Sequence, residues 1–161
     1  MRKMLAIATL ATLGAGGAFA VVGLPEAQEA PAAPAQATEA AHEVTIWRDA
    51  GCGCCDSYAE YLERHGYAVT LVDDPNFDRR SVEAGVPERG LGCHLAEVDG
   101  YYVSGLVPVE IIERLVTERP DIAGITLPGM PPNAPGMARE KTGTLKIYAF
   151  GEGGVAVYSN E

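Results

Sequence analysis

The most constraining feature of this 161-residue chain is a group of three cysteines within four consecutive positions, in the sequence Gly51-Cys52-Gly53-Cys54-Cys55. The fourth and last cysteine is Cys93. Cysteines packed this closely along a chain are not spaced to build a framework of disulfides around a small fold. An amphipathic pattern from Asp56 onward predicts that the group stands at the start of a helix. The helix dipole and the free N–H groups there favour thiolates, so the motif indicates thiol or metal chemistry.

Patterns on either side of the cysteines predict a mixed α/β fold. Short β-branched and aromatic runs predict strands, apolar residues at helical spacing predict helices, and Asp99-Gly100 predicts a tight hairpin turn. In chain order we expect a strand at 44–47, the cysteine helix, a strand at 67–72, a short helix at 76–84, a hairpin at 95–103, a helix at 108–119, a Gly/Pro-rich loop at 124–143 and a hairpin at 145–158. This order is that of a thioredoxin-like fold extended by a loop and a hairpin.

Fold analogy also brings Cys93 and His94 close to the first three cysteines. In thioredoxin-like folds the loop before the hairpin faces the C-x-x-C motif, and this pair of residues stands just before the predicted hairpin. We therefore expect all four cysteines to lie together. His94 would then ligate a metal or tune its neighbour, and the alternative is a loop histidine that is simply hydrogen-bonded.

The beginning of the chain carries signals for export and for a spacer. Residues 1–20 combine a positive start, an apolar stretch and an Ala18-Phe19-Ala20 cleavage site, which is the pattern of a signal peptide. The apolar run continues beyond that site, so an uncleaved membrane anchor is the alternative. Residues 21–42 are rich in Pro and Ala and lack apolar periodicity, as expected of a linker. The sequence thus predicts an exported domain over residues 43–161.

The charge balance excludes nucleic acid as a partner. The chain has 12 Lys and Arg against 22 Asp and Glu, a formal net charge of -10. Binding to a phosphate backbone depends on basic groups that release counterions, and the sequence shows no basic patch. An acidic balance suits either a cation as partner or plain solubility, and it does not distinguish between them.

The third sulfur and two methionines favour a metal over a disulfide substrate. A thiol oxidoreductase needs only Cys52 and Cys55, whereas a soft metal benefits from Cys54 as well. Met130 and Met137 lie in a loop that four prolines and two glycines stiffen, so they are poorly placed for core packing. Thiolates and thioethers together select Cu(I), while Zn is usually held by Cys and His without Met.

These motifs together resemble the CopG-like copper-resistance proteins, a family long catalogued as a domain of unknown function. The resemblance covers about residues 43–158, and its combination of motifs is more specific than a lone C-x-x-C. It rests on Gly51-Cys52-Gly53-Cys54-Cys55, Gly92-Cys93-His94, Val107-Pro108 and the loop at 127–137.

The resemblance implies a periplasmic thioredoxin-like domain that binds copper in copper tolerance, with other periplasmic copper-handling proteins as partners. It also implies redox interconversion of Cu(I) and Cu(II), at a site that holds more than one copper ion. The implied thiolate ligands are Cys52, Cys54, Cys55 and Cys93, the implied thioether ligands are Met130 and Met137, and His94 matches the Cys-His pair of the family.

The chain departs from the family pattern at one position. Members commonly read Gly-His-Val-Pro before the last helix of the thioredoxin unit, whereas this chain reads Gly105-Leu106-Val107-Pro108. A potential imidazole ligand is therefore missing. Cu(II), which favours nitrogen ligands, is affected more by this loss than Cu(I) bound through sulfur.

Two other functions fit parts of the sequence. A periplasmic thiol–disulfide oxidoreductase would need only the fold and the Cys52/Cys55 pair, and it would tolerate replacement of Cys54 and both loop methionines. A purely structural disulfide between Cys93 and either Cys52 or Cys55 would leave no metal site. The oxidising periplasm would also let a Cys52–Cys55 disulfide compete with metal, which could act as a switch for copper release.

Overall fold

The computed structural model describes residues 41–161, so the predicted signal peptide and nearly all of the predicted linker lie outside the described residues. Between residues 41 and 161, no helix has both the length and the apolar character needed to cross a membrane.

The described part of the chain contains one seven-stranded sheet and three α-helices, which confirms the predicted α/β class. The elements are β1 (Glu43–Arg48), α1 (Gly53–Arg64), β2 (Ala68–Asp73), α2 (Phe77–Glu83), β3 (Leu95–Val98), β4 (Tyr101–Ser104), α3 (Val109–Glu118), β5 (Gly124–Thr126), β6 (Lys146–Gly151) and β7 (Gly154–Asn160). A short 3₁₀ helix at Glu88–Gly90 precedes β3. Strand β5 is an addition to the prediction, because three residues within a Gly/Pro-rich segment are too few to show a strand pattern.

The strands follow the order β2-β1-β3-β4-β5-β6-β7 across the sheet. β1 pairs with β2 and β4 pairs with β5 in parallel, and the other neighbours are antiparallel. Parallel neighbours need a crossover connection, and α1 and α3 supply the two that this order requires. Helix α1 therefore follows β1, the second strand in this order, and α3 follows β4, the central strand.

The sheet buries apolar side chains on both faces. Ala96 faces the larger core, where it lies in one cluster with Leu62 of α1 and Leu115 of α3. Its neighbour Leu95 points to the other face and packs with Phe150 in a smaller cluster. Full burial of an apolar side chain of this size contributes roughly 1.5–3 kcal/mol, so the larger core holds the two long helices against the sheet.

Two tyrosines fix α1 directly below the cysteines. The hydroxyl of Tyr58 donates a hydrogen bond of 2.7 Å to the carbonyl oxygen of Val107. The hydroxyl of Tyr61 accepts one of 2.9 Å from the backbone N–H of Val109. Val109 is the first residue of α3 and Val107 precedes its N-cap, so these bonds tie the middle of α1 to the start of that helix.

Candidate metal centre

The four cysteine sulfurs form one cluster, with all Sγ atoms within 4.8 Å of one another. Cys52 is the N-cap of α1, and its carbonyl oxygen accepts the N–H groups of Cys55 and Asp56. Cys93 comes from the segment before β3. Trp47 near the end of β1 pairs with Leu95 at the start of β3. The segment that follows β1 and the segment that precedes β3 therefore lie at the same end of these two strands. The sequence prediction that Cys93 joins the first three cysteines is confirmed.

The sulfurs differ in their bonding. Cys52 and Cys55 are joined by a disulfide, with a Cα–Cα distance of 5.3 Å, while Cys54 and Cys93 are free. The Sγ of Cys54 lies 3.4 Å from that of Cys52, beside the disulfide. Cys55 is fully buried and the other three are partly exposed. Of the disulfides considered from the sequence, the structure therefore contains the one within C-x-x-C, and Cys93 is not used as a staple.

Met130 is the thioether that reaches the cluster. Its Sδ atom lies 3.8 Å from the Sγ of Cys54, and its side chain is 54% exposed. The backbone N–H of Gly129 donates a 3.0 Å hydrogen bond to the carbonyl of Leu91, and Gly92 and Gly129 form an isolated β-bridge. The segments that carry Cys93 and Met130 are thus paired through their backbones.

Met137 lies in the same loop, but within residues 41–161 it makes no hydrogen-bond contact with a cysteine sulfur like that of Met130. Its side chain is 46% exposed. The preceding residue, Gly136, has a positive φ of +91°, and a Cβ at this position would stand 2.8 Å from the carbonyl oxygen of Cys54. The loop therefore packs tightly on the first turn of α1 at Gly136, which brings Met137 to the neighbourhood of the cluster with its side chain turned to solvent.

His94 lies beneath the cluster as a fully buried side chain. Its Nδ1 atom is 3.3 Å from the Sγ of Cys93, and its ring packs against Tyr58 with 4.9 Å between centroids. Burial lowers the pKa of His94 to about 3, so the imidazole is neutral near pH 7. Its Nε2 atom has no hydrogen-bond partner within residues 41–161. Sequence reasoning gave no sign of this depth of burial.

Cys93 is correspondingly biased toward the neutral thiol. Burial, with a smaller effect from Cys54, raises the pKa of the Cys93 thiol well above its ordinary value. A positive ion would reverse this bias, because a coordinating thiol is deprotonated by the metal. The neutral Nδ1 of His94 is suitably placed to accept the S–H hydrogen while no metal is bound.

Leu106 occupies the position at which the family pattern carries histidine. The side chain is fully buried in the larger core, and its Cδ2 atom lies 3.0 Å from where a Cβ on Gly136 would stand. An apolar side chain thus fills the space between the loop and α1. No imidazole from this position contributes to the site.

The residues present fit a soft metal ion. Within residues 41–161, the cysteines form the one group of three or more Cys, His, Asp or Glu side chains whose ligand atoms lie close enough to share an ion. The donors are four cysteine sulfurs with a thioether beside them, a set that favours Cu(I) over hard cations. Cys52 and Cys55 can join the donor set only after their disulfide is reduced.

The comparisons with known proteins agree with this chemistry. A family described as protein of unknown function, DUF411, matches residues 91–137, which include Cys93, His94 and both loop methionines. Among solved structures, the chain is similar to a copper resistance protein CopG in two forms, each at 31% identity with a TM-score of 0.68. The match covers 75% of this chain for Form 2 and 76% for Form 1, and 98% of the solved chain in both. No curated protein matches the chain.

Proposed function

The chain belongs to the CopG-like copper-resistance family, and on that premise we propose that it is an exported protein that binds Cu(I) through cysteine and methionine sulfurs in copper tolerance. The single observation that carries the proposal is the cluster itself, four Sγ atoms within 4.8 Å with the thioether of Met130 beside Cys54. Thiolates and a thioether in one group favour Cu(I) over Zn, Mg or Ca.

The proposed ligands divide into three groups by their position. Cys54, Cys93 and Met130 are free donors that lie together, Cys52 and Cys55 add two thiolates after reduction, and Met137 on the same loop is the proposed second thioether. His94 either ligates through its neutral ring or orients Cys93 through Nδ1. A donor set of this size supports more than one copper ion and interconversion of Cu(I) and Cu(II). Exposure of Met130 supports transfer to a second copper-handling protein at this face.

We also interpret part of the sheet as a thioredoxin-like unit. Its support is the order β2-β1-β3-β4, with β1 and β2 parallel around α1 and with the cysteines between β1 and α1. In this interpretation β5, β6 and β7 are the extension, and the loop before β6 provides the methionines. Export to the periplasm remains part of the same proposal, supported by the pattern of residues 1–20.

A thiol–disulfide oxidoreductase is the second candidate. One observation favours it, namely a disulfide between Cys52 and Cys55 at the N-terminus of α1 with only Cys52 exposed to attack. This function would not need Met130, because a thioether takes no part in disulfide exchange.

An anaerobic titration separates the two candidates. The reduced full chain would compete for Cu(I) with a coloured chelator, beside the variants Met130→Leu and Val157→Ala. Val157 is a matched control, since it is as exposed as Met130 and lies on β7. We expect tight uptake that weakens at least about tenfold in Met130→Leu and is unchanged in Val157→Ala. Failure of the wild type to take copper from the chelator would refute copper binding and leave the oxidoreductase.

A further inference from the structure

We propose that β7 is a dimerisation edge, at which two copies of the chain join their sheets by antiparallel pairing of their β7 strands. The inference goes beyond the proposed function, because it concerns another part of the sheet and assigns a second copy of the chain as partner. In the strand order β7 lies four places from β3, the strand that Cys93 precedes, so the proposed interface is separate from the cysteine cluster.

Strand β7 is an edge that lacks the usual protection against pairing. It has seven residues, more than any other strand of the described sheet, and it contains no charged residue and no proline. Protected edge strands commonly carry Lys or Pro or are very short, because an open edge is a template for another strand. Its first four residues are exposed, and the side chains of Val155 and Val157 are 57% and 54% exposed.

The hydrogen bonds of the β6–β7 hairpin indicate which backbone groups face the free edge. Leu145 and Glu161 each donate an N–H to the carbonyl oxygen of the other, and such bonded pairs alternate with unbonded pairs in an antiparallel ladder. The bonded positions on β6 are therefore 147, 149 and 151, opposite positions 159, 156 and 154 of β7. Val155 and Val157 belong to unbonded pairs, so their N–H and C=O groups point away from β6 to the free edge.

These two valines suit pairing with the same strand of a second copy. A two-fold axis at Ala156 sets Val155 of one copy opposite Val157 of the other, and each such pair exchanges two hydrogen bonds. A small side chain on the axis suits the close approach of an unbonded pair. Both valines lie on the same face as Tyr148 and Phe150, their partners on β6, so pairing joins the valines of the two copies into one apolar patch. A register shift beyond Val157 keeps the pairing short.

The charges at the two ends of the hairpin complement each other in this arrangement. Glu152 lies in the turn at one end, and Lys146 begins β6 at the other. Neither side chain forms an ion pair within residues 41–161, and Glu161, beside the start of β6, is paired with Arg114. Antiparallel pairing sets the turn of each copy beside the start of β6 in the other.

This complementarity selects a second copy as the partner. Glu152 of each copy comes to the side of Lys146 in the other, so the two-fold axis produces the same favourable contact twice. A chain with a formal net charge of -10 otherwise repels its own copies. The uncharged strand with opposite charges at its two ends therefore offers a surface at which that repulsion is replaced by attraction.

Sedimentation equilibrium of the full chain, from about 1 µM to about 1 mM, tests the proposal. We expect a reversible monomer–dimer equilibrium, because a short paired strand forms a small interface. Val157→Lys places a charge within the paired strand and should weaken dimerisation at least about tenfold. Val82→Lys, at an exposed valine of α2, is the matched control and should leave dimerisation unchanged. A chain that stays monomeric throughout would overturn the proposal and leave the edge to a different partner. Dimerisation that is equally strong in Val157→Lys would also overturn it, because the interface would lie elsewhere.

Exchange of the two end charges tests the antiparallel register. Lys146→Glu and Glu152→Lys each bring like charges together, so each variant alone should dimerise about threefold or more weakly than the wild type. A mixture of the two variants has opposite charges in both contacts and should form mixed dimers in preference to either homodimer. The double variant Lys146→Glu/Glu152→Lys should dimerise within about twofold of the wild type. Mass spectrometry of intact complexes counts the mixed dimers, and a merely statistical mixture would overturn the proposed pairing.

Discussion

The Sδ atom of Met130 lies 3.8 Å from the Sγ atom of Cys54, across a sequence separation of 76 residues. The contact joins the Gly/Pro-rich loop to the first turn of α1. Met130 is more than half exposed, so its thioether lies at the solvent side of the cysteine cluster. The loop therefore contributes both a donor atom and the outer boundary of the candidate site.

Protection of this thioether provides the first prediction. In the metal-free protein, peroxide should oxidise Met130 and Met137 at comparable rates, because their exposed fractions are 54% and 46%. With Ag(I), a soft ion that does not cycle between oxidation states under these conditions, oxidation of Met130 should slow about tenfold or more because its sulfur lone pair is engaged. Peptide mass spectrometry measures both rates in one sample. Equal rates at Met130 with and without Ag(I) would contradict its assignment as a ligand.

The close approach at Gly136 provides the second prediction. Gly136→Ala introduces a Cβ at a φ of +91° and against the carbonyl oxygen of Cys54, so the loop must move away from α1. We expect a loss of about 1–3 kcal/mol in the free energy of unfolding and a weaker Cu(I) affinity. The control is Gly153→Ala, where φ is not positive and the added Cβ meets nothing within 4 Å. Chemical denaturation and the chelator titration give the two quantities, and equal effects in both variants would refute the packing argument.

Leu106 provides the third prediction. Leu106→His places a polar ring in a fully buried position, so the metal-free variant should lose about 2 kcal/mol or more of unfolding free energy. Copper should restore much of this loss if the new imidazole joins the site, because binding to the folded state alone stabilises it. Thermal unfolding with and without copper measures the recovery, with Leu106→Met as the apolar control. A recovery no larger than that of Leu106→Met would show that this position does not reach the metal.

Buried tyrosines provide the fourth prediction, which concerns high pH. Burial raises the pKa of Tyr61 and of Tyr67 from 10.0 to about 12. Between these values the folded state binds more protons than the unfolded state, so stability is complete below about pH 10 and falls as the pH rises toward 12. Each tyrosine contributes a slope of at most about 1.4 kcal/mol for each pH unit.

Tyr67→Phe tests this slope directly. The hydroxyl of Tyr67 is buried without a hydrogen-bond partner within residues 41–161, so its removal should cost little at neutral pH. Chemical denaturation at several alkaline pH values should show a shallower loss of stability in the variant. Parallel curves for the wild type and the variant would contradict the raised pKa.

Much of the fold could be predicted because its patterns are local. The strand before the cysteines, the helix after them and the hairpin around Asp99-Gly100 all lie close to their predicted positions. Strand β5 was wrongly included in a loop, since its identity comes from pairing with β4 and β6 and not from its own three residues. The strand order is equally non-local, and the sequence analysis predicted only the order of the elements along the chain.

The candidate site, too, could be predicted from the sequence only in part. The grouping of Cys93 with the first three cysteines could be anticipated from its place before a hairpin strand, and Met130 from its stiff loop. The burial of His94 could not, because it depends on how the ring packs against Tyr58, a residue distant in the sequence. The pairing of Cys52 with Cys55 was one of several disulfides that spacing alone left open.

The backbone pairing of Gly92 with Gly129 has a consequence for how tightly an ion is held. Cys93 and Met130 each follow one member of this bridge, so the distance between their backbones is set when the chain folds. The loss of chain entropy that comes from bringing these two distant segments together occurs during folding. It therefore does not weaken metal binding. A site preorganised in this way would bind and release an ion with little rearrangement of its backbone.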